Sequence, residues 1–67
     1  MNSIAKQFYS YMSQLPHKDY GETRDKLCEH MGWSYWTYQR KLHGNTYIRV
    51  QERQKIEEFF KQKIFTL

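Results

Sequence analysis

Three interruptions constrain this chain more than any other feature. Pro16, Gly32 and the pair Gly44-Asn45 divide it into four segments. Within each segment apolar residues recur at three- and four-residue steps. That spacing lines one face of a helix, whereas a half-buried strand alternates every second residue. Only residues 45–50, Asn-Thr-Tyr-Ile-Arg-Val, show a short alternating run, and one lone strand has no obvious partner. The sequence therefore predicts an all-α fold of four helices in a single domain, residues 1–67.

Ile4, Phe8, Met12 (or Tyr11) and Leu15 form the stripe of a first helix over about 3–15. Ser3 is a fair N-cap for it, and Pro16 stops it. His17-Lys18-Asp19 reads as a connecting turn. A second helix is expected over about 21–31, with Leu27, Cys28 and Met31 inward and Arg24, Asp25, Glu29 and His30 outward. Gly32 can take the left-handed conformation that ends a helix. Ser34 is a good N-cap for a third helix over about 35–43, which Gly44-Asn45 ends. A fourth is expected over about 50–64, with Ile56, Phe59, Phe60 and Ile64 as its apolar face.

A chain of 67 residues buries only about 60% of its unfolded surface, so bulky side chains must carry the core. Aromatic residues make up 18% of it and suit that task. Cys28 is the sole cysteine, which excludes an intrachain disulfide and fits a reducing compartment. Asn2-Ser3-Ile4-Ala5-Lys6 begins no long apolar run, so neither a signal peptide nor a membrane span is expected. The expected location is the cytoplasm, in association with the nucleoid.

The formal net charge is +4, and its distribution says more than its size. No acidic residue lies between Glu29 and Glu52, a window that holds Arg40, Lys41 and Arg49. Such a stretch suits either a phosphate-facing surface or an ordinary solvated face. Two tryptophans and two tyrosines also fall within residues 33–38.

Helical periodicity sorts these aromatics. The second and third helices are joined by only Gly32-Trp33-Ser34, as a helix-turn-helix requires. If Trp33, Tyr38 and Leu42 face inward, then Tyr35, Trp36, Gln39, Arg40 and His43 share the opposite side. An exposed stripe of that composition suits a major groove: Arg can pair with guanine, Gln with adenine, and rings can touch a thymine methyl. Ser34, Thr37, Lys41, Asn45 and Arg24 are the candidate phosphate contacts.

The stretch "LCEHMGWSYWTYQRKLHG" resembles the helix-turn-helix of the lac-repressor and lambda-repressor-like families. Cys28, Gly32, Trp33, Ser34, Thr37, Tyr38 and Arg40 carry the resemblance, within about residues 24–44. It implies that Tyr35, Trp36 and Arg40 read bases and that Ser34 and Thr37 contact phosphate. The sequence departs from the pattern at Lys41, where these families place an aliphatic residue, and at the bulky Trp33, Trp36 and Tyr38. Nothing here matches the large effector-binding domain of the lac-repressor family, so no small-molecule ligand is implied.

Other chemistries find little support. His17, Cys28, His30 and His43 lack zinc-finger spacing, so no metal or other cofactor is expected. No nucleophile–base set and no glycine-rich phosphate loop can be assembled, so the chain is not read as an enzyme. The expected function is sequence-specific binding of double-stranded DNA by a small, repressor-like regulator of transcription, of phage or mobile-element type. The alternative is a helical protein–protein interaction module built on Tyr35, Trp36 and Tyr47. Phe59, Phe60, Ile64, Phe65 and Leu67 exceed what one small core needs, which suggests a homodimer through the C-terminal helix.

Overall fold

The computed structural model describes residues 3–66. Four helices follow one another: α1 Ser3–Ser13, α2 His17–Met31, α3 Tyr35–Leu42 and α4 Val50–Phe60. No strand occurs among the described residues, so 45–50 is not extended into a sheet. α1 packs on α3, and α2 packs on α4. The Cα radius of gyration is 10.9 Å, close to the ~11 Å expected of a folded chain this long.

α1 buries Ile4, Ala5, Phe8 and Met12, the stripe its periodicity sets. Phe8 is fully buried at the centre of the core. Its ring lies 5.9 Å from Tyr38, 6.4 Å from Trp33 and 6.4 Å from Phe65. The contacts with Tyr38 and Trp33 are edge to face, the arrangement that the ring quadrupole favours. Leu27, Leu42 and Ile56 from the other helices, and Ile48 from the connection between α3 and α4, add to the core. Tyr38 is fully buried, and its hydroxyl meets the Tyr20 hydroxyl at 2.7 Å. Burial pushes the Tyr38 pKa far up, so the phenol stays neutral and costs the core no buried charge.

Three helices end by the same closure. After α2, Gly32 (φ 73°) donates to the Glu29 carbonyl and Trp33 to that of Cys28. After α3, Gly44 (φ 80°) donates to Lys41 and Asn45 to Arg40. After α4, Lys61 (φ 54°) donates to Glu58 and Gln62 to Glu57. In this Schellman closure one left-handed residue returns two N–H groups to the last free carbonyls.

α1 ends at Ser13 rather than near 15, and two boundaries differ by a full turn from those expected. α2 begins at His17 rather than near 21, so His17-Lys18-Asp19 is helical. Pro16 both stops α1 and starts α2: its carbonyl accepts the Asp19 N–H at 2.9 Å. The added turn carries Tyr20 to Tyr38. α4 ends at Phe60 rather than near 64, because Lys61 turns left-handed. Glu57 then accepts the Ile64 and Phe65 N–H groups at 2.8 and 2.9 Å. Those two bonds hold the Glu57 carboxyl below the usual range, the Phe65 N–H having the larger effect. They also fold Phe65 into the core, 4% exposed, rather than leaving it on a surface. Phe59 and Phe60 are half-buried, beside His30 at 5.4 Å and Tyr11 at 4.8 Å. Leu67 lies outside the described residues.

Candidate functional site

α3 is an eight-residue helix with two chemically different sides. Tyr38, Lys41 and Leu42 face inward. Positions 35, 36, 39, 40 and 43 lie on the other side, as 100° per residue requires. Trp36 is 71% exposed and Tyr35 50%. Arg40 and His43 are exposed, and Gln39 is half-buried. Ser34 begins the helix in extended backbone, its Oγ accepting the Thr37 N–H at 3.2 Å. The Ser34 and Thr37 hydroxyls lie 3.1 Å apart.

These side chains differ in how far their neighbours hold them. The Arg24 guanidinium lies 5.4 Å from the Tyr35 ring centroid and 5.9 Å from that of Tyr20, within cation–π range. Arg24 also pairs with Asp25 at 3.1 Å. His43 and Gln39 share a 3.2 Å hydrogen bond, and the His43 ring lies 5.6 Å from Tyr9. Among the described residues the one ring contact of Trp36 is with Tyr35, at 5.8 Å. The Arg40 guanidinium has no ion pair among the described residues. Trp36 and Arg40 are thus the two least restrained groups on this side of α3.

Lys41, expected to hold phosphate, faces the opposite way. Its Nζ donates to Glu52 Oε1 at 3.1 Å and to the Tyr47 carbonyl at 2.9 Å. It also lies 5.5 Å from the Trp33 ring centroid, and its side chain is 8% exposed. Glu52 accepts in addition from the Arg49 N–H at 2.8 Å and the Trp33 indole N–H at 3.3 Å. Burial alone would raise the Glu52 pKa. The Arg49 N–H, Lys41 and Trp33 together more than offset it and hold the carboxyl below its usual range. Lys41 is therefore an internal strut from α3 to the start of α4, and it leaves the set of candidate phosphate contacts.

The remaining candidates stand as follows. Thr37 is half-buried, while Ser34 and Asn45 are exposed. The Asn45 backbone N–H closes α3 on the Arg40 carbonyl at 2.8 Å. Arg24, on α2, reaches Tyr35 at the first turn of α3. Tyr20 and Tyr9, which support Arg24 and His43, were not among the expected site residues. Tyr20 carried one signal, its four-residue spacing from Arg24 on a helix; Tyr9 carried none.

Among the described residues no three of His, Cys, Asp and Glu gather into a metal-binding group. Cys28 is half-buried, and burial pushes its thiol pKa up. No helix is long and apolar enough to cross a membrane among the described residues. No protein family, curated protein or solved structure matches this chain.

Proposed function

We propose that this chain binds double-stranded DNA sequence-specifically and serves as a small regulator of transcription. In this reading α2 and α3 act as a helix-turn-helix, and α3 enters the major groove. The observation that carries it is the outward side of α3, where Trp36 and an Arg40 with no ion pair among the described residues stand exposed, with no acidic residue in the helix. Exposed guanidinium on a groove-sized helix suits guanine O6 and N7. Ser34, Thr37 and Arg24, near the start of α3, would meet the phosphates, and Tyr35 would flank the bases. A pair of copies joined through the C-terminal helix would present two α3 helices to half-sites about one DNA turn apart. Selection of bound duplexes from a random pool tests the reading: one enriched motif supports it, and no enrichment overturns it.

A protein partner is the second reading, and two observations favour it. Trp36, Tyr35 and Tyr47 are all half or more exposed, and such residues dominate interface hot spots. Lys41 adds no surface charge for a phosphate backbone. Docking on these aromatics would lose little affinity as salt rises, unlike contact with phosphates.

A further inference from the structure

We propose that Trp36 and Arg40 work as one reading pair, selecting a pyrimidine 5-methyl group within two base pairs of a guanine. This inference rests on the DNA-binding reading and names its sequence preference. Of the five residues on the outward side of α3, three are engaged by a hydrogen bond or by a side chain of another helix, whereas Trp36 meets the ring of its chain neighbour Tyr35. Gln39 is bound to His43, His43 lies against Tyr9, and Tyr35 lies against Arg24. A Gln39 tied through its Oε1 cannot offer adenine the bidentate contact expected from sequence without breaking that bond. Trp36 and Arg40 remain, four residues apart on one helix.

Residues at that spacing stand one above the other, with Cβ atoms about 5–6 Å apart. Successive base pairs are about 3.4 Å apart, so the two Cβ atoms stand less than two base-pair steps from each other and the side chains address neighbouring pairs. The chemistry of each partner then follows. A guanidinium pairs with guanine O6 and N7, and an exposed indole has only apolar surface and one N–H to offer. In the major groove the matching apolar feature is a pyrimidine 5-methyl. Thymine carries one, and so does 5-methylcytosine.

The test resynthesises the selected duplexes with deoxyuridine in place of each thymine in turn. Removing the methyl near the guanine is expected to weaken binding by wild-type protein about four-fold, the worth of one buried methyl. Trp36→Ala should show no such difference, and circular dichroism should show it folded, since the indole is 71% exposed. A parallel pair of duplexes with 5-methylcytosine or cytosine at that position, which differ only in the methyl, should show the same preference for the methylated base, and equal affinity for the two overturns the reading of the methyl. Equal affinity for thymine and uracil duplexes, or an equal loss in Trp36→Ala, overturns the pair while leaving DNA binding intact. Absence of any enriched duplex overturns both readings.

Discussion

The Lys41 ammonium lies 3.1 Å from a Glu52 carboxylate oxygen, across the junction of α3 and α4. The two side chains are 8% and 22% exposed, so neither charge is well hydrated without the other. Glu52→Ala would strand the ammonium against the Trp33 ring and the Tyr47 carbonyl. The expected cost is about 3 kcal/mol, the low end for breaking a buried pair, and a drop in Tm of roughly 12 °C or more. Thermal unfolding followed by circular dichroism reads it. A cost below ~1 kcal/mol would mean the pair behaves as a solvated surface bridge.

Neighbouring basic residues on α3 should separate stability from binding. Lys41→Met removes the strut and is expected to lower Tm, while the salt dependence of duplex binding by the folded protein stays unchanged. Arg40→Ala should leave Tm unchanged and cost ~1–3 kcal/mol on the selected duplex. The reverse pattern would place phosphate contact at Lys41 after all.

Acid should unfold the protein through Glu52 and Glu57. Both carboxyls lie below their ordinary value of 4.5 in the folded chain. A depressed folded pKa contributes stability that is complete above the unfolded value and disappears as pH falls through the folded one. Tm should therefore fall steeply below about pH 4.5. Glu57→Gln, which keeps an acceptor for Ile64 and Phe65 but no titrating charge, should make that fall shallower. An unaltered acid limb would remove Glu57 from this account.

Two of the three left-handed helix ends make opposite predictions. At Gly32 an added Cβ would meet nothing within 4 Å, so its penalty is one of backbone conformation. Gly32→Val should cost about 1–2 kcal/mol or more, since a branched residue resists positive φ. Lys61 already occupies that region at φ 54°, so Lys61→Gly should stabilise by about 1 kcal/mol. Denaturant midpoints measure both, and a stabilising Gly32→Val would contradict the closure described for α2.

Where local chemistry decides, the sequence was a sufficient guide. Ile4, Phe8 and Met12 mark the buried stripe of α1, and Ser34 and Gly44 bracket α3, because caps and periodicity act within a few residues. The exposure of Trp36 follows from the same periodicity. The missed features depend on distant partners. The first turn of α2 has no apolar residue before Tyr20, which finds Tyr38 eighteen residues on. Lys41 reads as surface charge until Glu52, eleven residues away, comes to meet it. Lys61 ends α4 in a conformation that glycine normally supplies, so nothing in the local sequence signals a stop.

Whether the outward side of α3 addresses duplex DNA is read from binding to a random-sequence duplex over a salt series. Log affinity should fall linearly with log salt, with a slope of about −0.9 for each phosphate contacted. A slope near zero, or no binding at roughly 50 mM salt, would contradict the account and assign the exposed tryptophan and arginine to a protein partner.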